Sequence, residues 1–368
     1  MMNQKLLNAN LKTRLKSTLY ISGYLFLVLF FSLFFDSHGI LTNTFRDIYL
    51  NNFQIFIGVF GVLFYLSTIG LVWFISKEIT RTFWKEEKVN WKLLATIFFF
   101  VSVVFIFFLI TKLNLSRILS DKQTWPSYYF VPFSGLFILV TFIGWTIVSN
   151  NKIKNKKQSV YFSLVTIITI LFFIALYYLA FYRSWLDLFI LILLAMLTDV
   201  FGYFVGVLFG KHKLCPKISP KKTIEGFIGG VIISSLVILA VFGLVQLFKA
   251  ASVLEPFKLV SLANALSYEF LGWQIDSLSN FNVNSNFWIV CFFTLIVLAI
   301  ISVAGDLSFS IFKRSMKIKD FGNILPGHGG ILDRLDSISF VFIAYYCLSM
   351  LINTSVSPTT CFINIINA

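Results

Sequence analysis

The chain has 368 residues, of which 58% are hydrophobic and only 12% charged, about half the charged share of an ordinary soluble domain. That balance excludes a water-soluble globular fold and makes lipid the main solvent. The formal net charge is +14, but the basic residues are spread over several short segments, which argues against nucleic acid and for anionic headgroups and phosphate substrates.

Charge-free runs occupy 17–35, 48–76, 93–111, 123–151, 158–182, 226–248, 277–305 and 337–368, and a bilayer-spanning helix needs about 20 apolar residues. A ninth segment, Leu186 to Gly210, is equally apolar apart from Asp187 and Asp199. The expected fold is therefore an all-α integral membrane protein with about nine transmembrane helices. Alternate connecting segments hold 23 of the 30 Lys and Arg residues. Cytoplasmic loops retain basic residues, so the N-terminus reads as cytoplasmic and the C-terminus as external. The first run has spanning length and no small-residue cleavage site after it, and is read as an uncleaved anchor.

Residues 1–185 are expected to form an N-terminal membrane scaffold of about five spans, and 186–368 a catalytic membrane region of about four. The first five runs contain no ionisable residue and read as scaffold and lipid contact, as do the 45 Phe residues. Cys215, Cys291, Cys347 and Cys361 have no metal or redox spacing and are expected to be reduced. The external segment 248–286 is expected to lie partly along the interface.

Chemistry is expected in the second half. Asp199 and Asp306 lie in apolar segments, where a charge costs at least about 2.5–3.5 kcal/mol. One turn after Asp199 comes Tyr203, and Gly202, Gly206 and Gly210 recur every four residues. That face admits a second helix or a substrate, and taken alone such spacing more often means helix packing. Lys211, His212, Lys213 and Lys217 follow, then Ser219-Pro220-Lys221-Lys222-Thr223-Ile224-Glu225-Gly226, read as a turn opening a helix. Lysines beside hydroxyls and free helix N–H groups suit a polyphosphate. By themselves they equally suit a cytoplasmic loop and a helix cap.

The second constellation is Gly305-Asp306, Ser310, Lys313-Arg314, Lys319-Asp320, Gly322, Pro326, His328-Gly329-Gly330, Asp333-Arg334 and Asp336. On a helix, Asp306, Ser310, Lys313 and Arg314 line one face. Asp333 and Asp336 form a second acidic pair that could face Asp306. Carboxylates gathered without His or Cys favour magnesium, the ion that nucleotidyl transfer uses to bridge carboxylates and phosphates. Gly327, Gly329 and Gly330 let backbone amides approach an anion. His328 reads as an acid, a phosphate donor or a structural hydrogen-bonder, and Asp320 as a loop salt bridge or cap. No base is required, because an attacking phosphate is already anionic.

The segment Ser310 to Asp336 resembles the phosphatidate cytidylyltransferase (CDP-diacylglycerol synthase) family. Ser310, Lys313, Arg314, Lys319, Asp320, His328, Gly329, Gly330, Asp333, Arg334 and Asp336 meet its fixed positions. The upstream block is similar through Asp199, Tyr203, Gly206, Gly210, Lys211, Ser219, Pro220, Lys221, Lys222, Thr223, Glu225 and Gly226, and departs at Val200 and Val207. The resemblance covers about residues 186–350.

It implies that CTP and phosphatidate react with magnesium present to give CDP-diacylglycerol and pyrophosphate. It further implies a catalytic set of Asp306, Asp333, Lys313, Arg314, Asp336 and His328, with magnesium on Asp306 and Asp333 and Asp336 in support. Substrate contacts are expected at Asp199, Tyr203, Lys211, Ser219, Lys221, Lys222, Thr223, Glu225, Ser310, Lys319, Gly329, Gly330 and Arg334. The expected partners are CTP, phosphatidate and membrane lipids, with a homodimer left open. The location is the cell membrane, with the site at its cytoplasmic face. The alternatives are another CTP-dependent lipid enzyme, such as a polyprenol or phytol kinase, and more remotely a membrane transporter, which would put acids in both halves.

Overall fold

A computed structural model describes residues 53–85, 90–112, 156–182, 185–250, 285–322 and 329–366, together with Gly23. Its elements are α1 (Phe53–Trp84), α2 (Trp91–Lys112), α3 (Lys156–Tyr182), α4 (Trp185–Phe209), β1 (Lys213–Cys215), β2 (Ser219–Thr223), α5 (Ile224–Ala250), α6 (Ser285–Ser315) and α7 (Leu332–Ile366). The run 17–35 apart from Gly23, the run 123–151, most of segment 248–286, and Pro326, Gly327 and His328 lie outside the described residues. Each of the other seven expected spans coincides with one helix.

Among the described residues, five helical stretches are long and apolar enough to cross a bilayer: Val59–Trp84, Lys157–Phe181, Asp187–Phe209, Ile224–Val241 and Cys291–Ser315. The apolar stretch of α2, Trp91–Ile106, is shorter. A helix that is apolar all round belongs inside a bundle or a membrane, and α3 is the interior one: 78% of its apolar window is buried, against 33–44% for the other four.

Aromatic packing gathers α1, α2 and α3. Tyr177 of α3 meets Phe64 of α1 and Phe105 of α2 edge-on, while Tyr65 and Phe105 stack at 4.5 Å. The same α3 packs on α7 through Phe172–Phe342 and Tyr178–Tyr346, and meets α6 through Tyr161–Phe312. Buried polar pairs tie further helices together: Thr68 with Tyr177 at 2.5 Å, Thr198 with Ser234 at 3.0 Å, and the Tyr345 hydroxyl donating to Asp187 at 2.9 Å. In an apolar surrounding each such bond adds about 0.6 kcal/mol and fixes which faces meet.

The expectation of an all-α chain needs one correction. Ser219–Thr223, read as a turn, is a strand paired antiparallel with Lys213–Cys215, in register Lys213↔Thr223 and Cys215↔Ser219. The segment is too polar to enter the bundle, and pairing satisfies its backbone. Pro220 is tolerated because a two-stranded ribbon has only edge strands. The helix start was legible: Thr223 Oγ1 accepts the Gly226 N–H at 3.1 Å, an N-cap bond that opens α5.

The glycines recognised by their spacing do bring α4 against α5, and the closest backbone approaches between the two helices are met from α5. A Cβ at Gly226 would stand 2.6 Å from Gly202 O and 2.9 Å from Gly206 Cα; one at Gly230 would stand 2.8 Å from Thr198 O. Backbone packs on backbone here, as small residues allow in membranes.

Candidate active site

The hairpin is held in place from both ends. Ile224 N donates to His212 O at 2.9 Å, and the His212 N–H and ring Nδ1 both meet the Glu225 carboxylate, Nδ1 at 2.6 Å. At the tip, Arg314 of α6 donates from Nε to Ile218 O at 3.2 Å. Beneath lies an open cavity of about 570 Å³ between α4, the hairpin and α5, with Asp306 of α6 in its wall. Of the residues expected at the site, Asp199, Tyr203, Lys221, Lys222, Thr223 and Asp306 line it, joined by Lys213.

The two sequence blocks meet again inside the cavity wall, where Lys222 Nζ lies 2.5 Å from Asp306 Oδ2. Asp306 Oδ1 also accepts from Ser310 Oγ at 3.5 Å. Asp336, 8% exposed, lies within electrostatic reach of Asp306, Asp199 and Lys313. Asp199 is within reach of Lys222, Asp306 and Arg334, and accepts from Ser337 Oγ at 3.3 Å. Three carboxylates from three helices therefore share one electrostatic neighbourhood, with Lys222, Lys313 and Arg334 among them.

Asp333 is placed differently from its sequence neighbour Asp336. Its Oδ1 takes Lys313 Nζ at 2.9 Å, and its Oδ2 takes the N–H groups of Phe321 and Gly330, both at 2.9 Å. It thus closes the turn into α7 and fixes Lys313. Gly329 makes this approach possible: its φ is +83°, a region open to glycine at little cost. The expected single face of α6 is accordingly divided. Asp306 and Ser310 bond to each other, Lys313 turns to α7, and Arg314 turns to the hairpin.

A model of the Cytidylyltransferase family matches residues 48–352. The chain belongs to this family. It is 42% identical over 149 residues to the phosphatidate cytidylyltransferases of Staphylococcus haemolyticus and Staphylococcus aureus, covering 40% of this chain. A Mycoplasma pneumoniae relative, to which the same activity is assigned provisionally, is 34% identical over 225 residues, covering 58% of this chain. The aligned stretches span 43% of the two Staphylococcus relatives and 56% of the Mycoplasma one.

Several positions expected from the cytidylyltransferase signature lie outside the cavity lining. Lys211, Ser219, Glu225, Ser310, Lys319, Gly329, Gly330 and Arg334 are not among its walls, and Glu225 is engaged by His212. The donor chemistry suits magnesium, because the neighbourhood offers carboxylate oxygens and draws in the Lys222 ammonium. Among the described residues no three His, Cys, Asp or Glu are gathered closely enough to hold a metal by themselves.

One acid escaped the sequence reading. Glu78 falls just past the charge-free run 48–76, yet α1 continues to Trp84, and Glu78 is 1% exposed. The run 48–76 itself holds no charged residue, as expected, but α1 extends beyond it and carries Glu78 into a buried position. The available signal was Glu78 and Thr82, four residues apart, at the end of an otherwise apolar helix.

Proposed function

We propose that this chain transfers the cytidylyl group of CTP to phosphatidate, giving CDP-diacylglycerol and pyrophosphate. The observation that carries this reading is the Lys222–Asp306 contact, which joins the lysine-rich hairpin to the buried acid at the wall of one cavity. An oxygen of the lipid phosphate attacks the α-phosphorus of CTP and forms the new P–O bond. The bond from that phosphorus to its bridging oxygen breaks, and pyrophosphate leaves with the electron pair.

The residues supply position and charge. Lys213, Lys221 and Lys222 line the hairpin side of the cavity and neutralise the triphosphate, as cations do in phosphoryl transfer generally. Lys222 exchanges its carboxylate partner for a phosphate when CTP arrives. The resemblance assigns magnesium to Asp306 and Asp333 with Asp336 in support. Because Lys313 and two backbone N–H groups already engage Asp333, Asp306 and Asp336 are the residues that would hold the ion, with Asp333 in support through its one remaining lone-pair site. When bound, that ion supplies Lewis-acid neutralisation of the phosphate oxygens. Lys313, anchored by Asp333, keeps a fixed positive charge beside Asp336.

We further infer nine spans in the cell membrane, with the N-terminus and the Lys-rich segments 211–225 and 306–336 cytoplasmic. The distribution of Lys and Arg supports this, and CTP is then met on the side where basic residues gather.

The expected result for purified protein is pyrophosphate release that requires CTP and phosphatidate together. Release of CDP with a newly phosphorylated lipid would instead assign a CTP-dependent kinase.

A further inference from the structure

The loop between α6 and α7 carries much of the cytidylyltransferase signature, and it is gripped by a helix far away in sequence. Glu78 Oε1 accepts the Ile331 N–H at 2.8 Å, and Oε2 accepts the Leu332 N–H at 2.9 Å. One helical turn on, Thr82 Oγ1 donates to Phe321 O at 3.2 Å. Residues four apart share a helix face, so one face of α1 holds both Phe321 within the loop and Ile331 and Leu332 at the entry to α7. We propose that Glu78, assisted by Thr82, is a positioning residue for the reaction: a clamp that fixes the entry to α7 and through it Asp333, Asp336 and Lys313. This rests on the function proposed above.

The local chemistry explains why a remote carboxylate is used. The first N–H groups of a helix have no partner within it. A Ser, Thr, Asp or Asn just before the helix normally satisfies one of them, but that position here is Ile331, which has no acceptor. Glu78 supplies two acceptors at once, with a negative charge that suits a helix N-terminus. Its burial would be costly without such bonds, so carboxylate and helix start depend on each other.

Two signature glycines follow from the same contact. A Cβ on Gly330 would fall 2.6 Å from Glu78 Oε1, and one on Gly322 would fall 2.7 Å from the same oxygen. Both are small where the carboxylate passes between them. Asp333 takes the adjoining N–H groups of Phe321 and Gly330. Glu78 and Asp333 thus divide four N–H groups, and only Asp333 also carries Lys313. Glu78 is absent from the cavity lining, which makes it a positioning residue and not a catalytic one.

The test compares purified Glu78→Ala, Glu78→Gln and Thr82→Val with wild type. It measures kcat and KM with α-labelled CTP and phosphatidate, the melting temperature, and amide exchange over residues 329–335. Glu78→Ala is expected to lower kcat about 10- to 100-fold, the usual effect of removing a group that orients a ligand, with KM for phosphatidate unchanged. Glu78→Gln keeps one acceptor oxygen at the same length, so it should recover part of that loss. Exchange at Ile331 and Leu332 should speed up in both.

A wild-type kcat in Glu78→Ala would overturn the proposal. So would losses that are equal for Ala and Gln and simply follow the melting temperature. If Glu78→Ala does not fold, Thr82→Val decides, because it removes one hydrogen bond and keeps the shape; an unchanged kcat there would overturn the clamp. If wild type itself fails to label phosphatidate, the proposed function falls while the exchange measurement still judges the clamp. Unaltered exchange in Glu78→Gln would then overturn it.

Discussion

Asp306→Asn is expected to lower kcat for cytidylyl transfer by a factor of about 100 to 1,000 or more, the range seen when one preorganised electrostatic group is lost. The substitution keeps the size of the side chain and the bond with Ser310, so insertion and folding should be unaffected. What it removes is the charge that Lys222 faces at 2.5 Å and that Asp336 and Asp199 sense. Asp333→Asn makes the informative contrast. Its carboxylate closes the turn with Phe321 and Gly330 and anchors Lys313, so both activity and melting temperature should fall. Near-normal turnover in Asp306→Asn would remove that residue from the catalytic set.

The second large effect concerns stability. Gly226→Ala and Gly230→Ala each place a Cβ under 3 Å from backbone atoms of α4, and backbone cannot rotate aside as a side chain does. Overpacking costs about 1–3 kcal/mol in ordinary cores, and separating two helices at their closest approach should reach or exceed the top of that range. Gly202→Ala is the control. Its Cβ would meet Gly226 O at 3.4 Å, an ordinary contact. Melting temperatures in detergent should therefore drop sharply for the two α5 variants and stay near wild type for Gly202→Ala. Since Thr223 caps α5 and lines the cavity, the α5 variants should also lose activity.

These contrasts show where the sequence was readable. Helix positions follow from apolar runs, because a bilayer rewards length and lack of charge, and both are visible in one dimension. The acids Asp199 and Asp306 stood out for the same reason, and their meeting with Lys222 followed from two motif blocks converging. Less legible were contacts decided by packing angle. Spacing singled out Gly202, Gly206 and Gly210, and Gly210 is indeed tight against Gly206 O and the Thr223 side chain, but the closest backbone approaches between α4 and α5 are met from Gly226 and Gly230, since the crossing of the two helices sets which backbone comes nearest. Asp333 and Asp336 look equivalent three residues apart, yet one faces the loop and the other the acid cluster.

Glu78 was hidden by a rule that usually works. A charged residue at the end of an apolar run reads as the start of a loop, and only the tertiary structure reveals that α1 carries it on to a remote helix start. The strand at Ser219–Thr223 escaped for a related reason. Hairpin pairing there answers a backbone need at the edge of the bundle, and its residues carry no alternation that would announce it.

In the function proposed above, one site joins CTP to phosphatidate through the α-phosphate. Parallel incubations of purified protein with phosphatidate, magnesium and CTP labelled at either the α- or the γ-phosphate test it most directly. The expected result is α-label in the lipid, one per pyrophosphate released, and no γ-label there. Label from the γ-position in the lipid, or no transfer from the α-position, would contradict it.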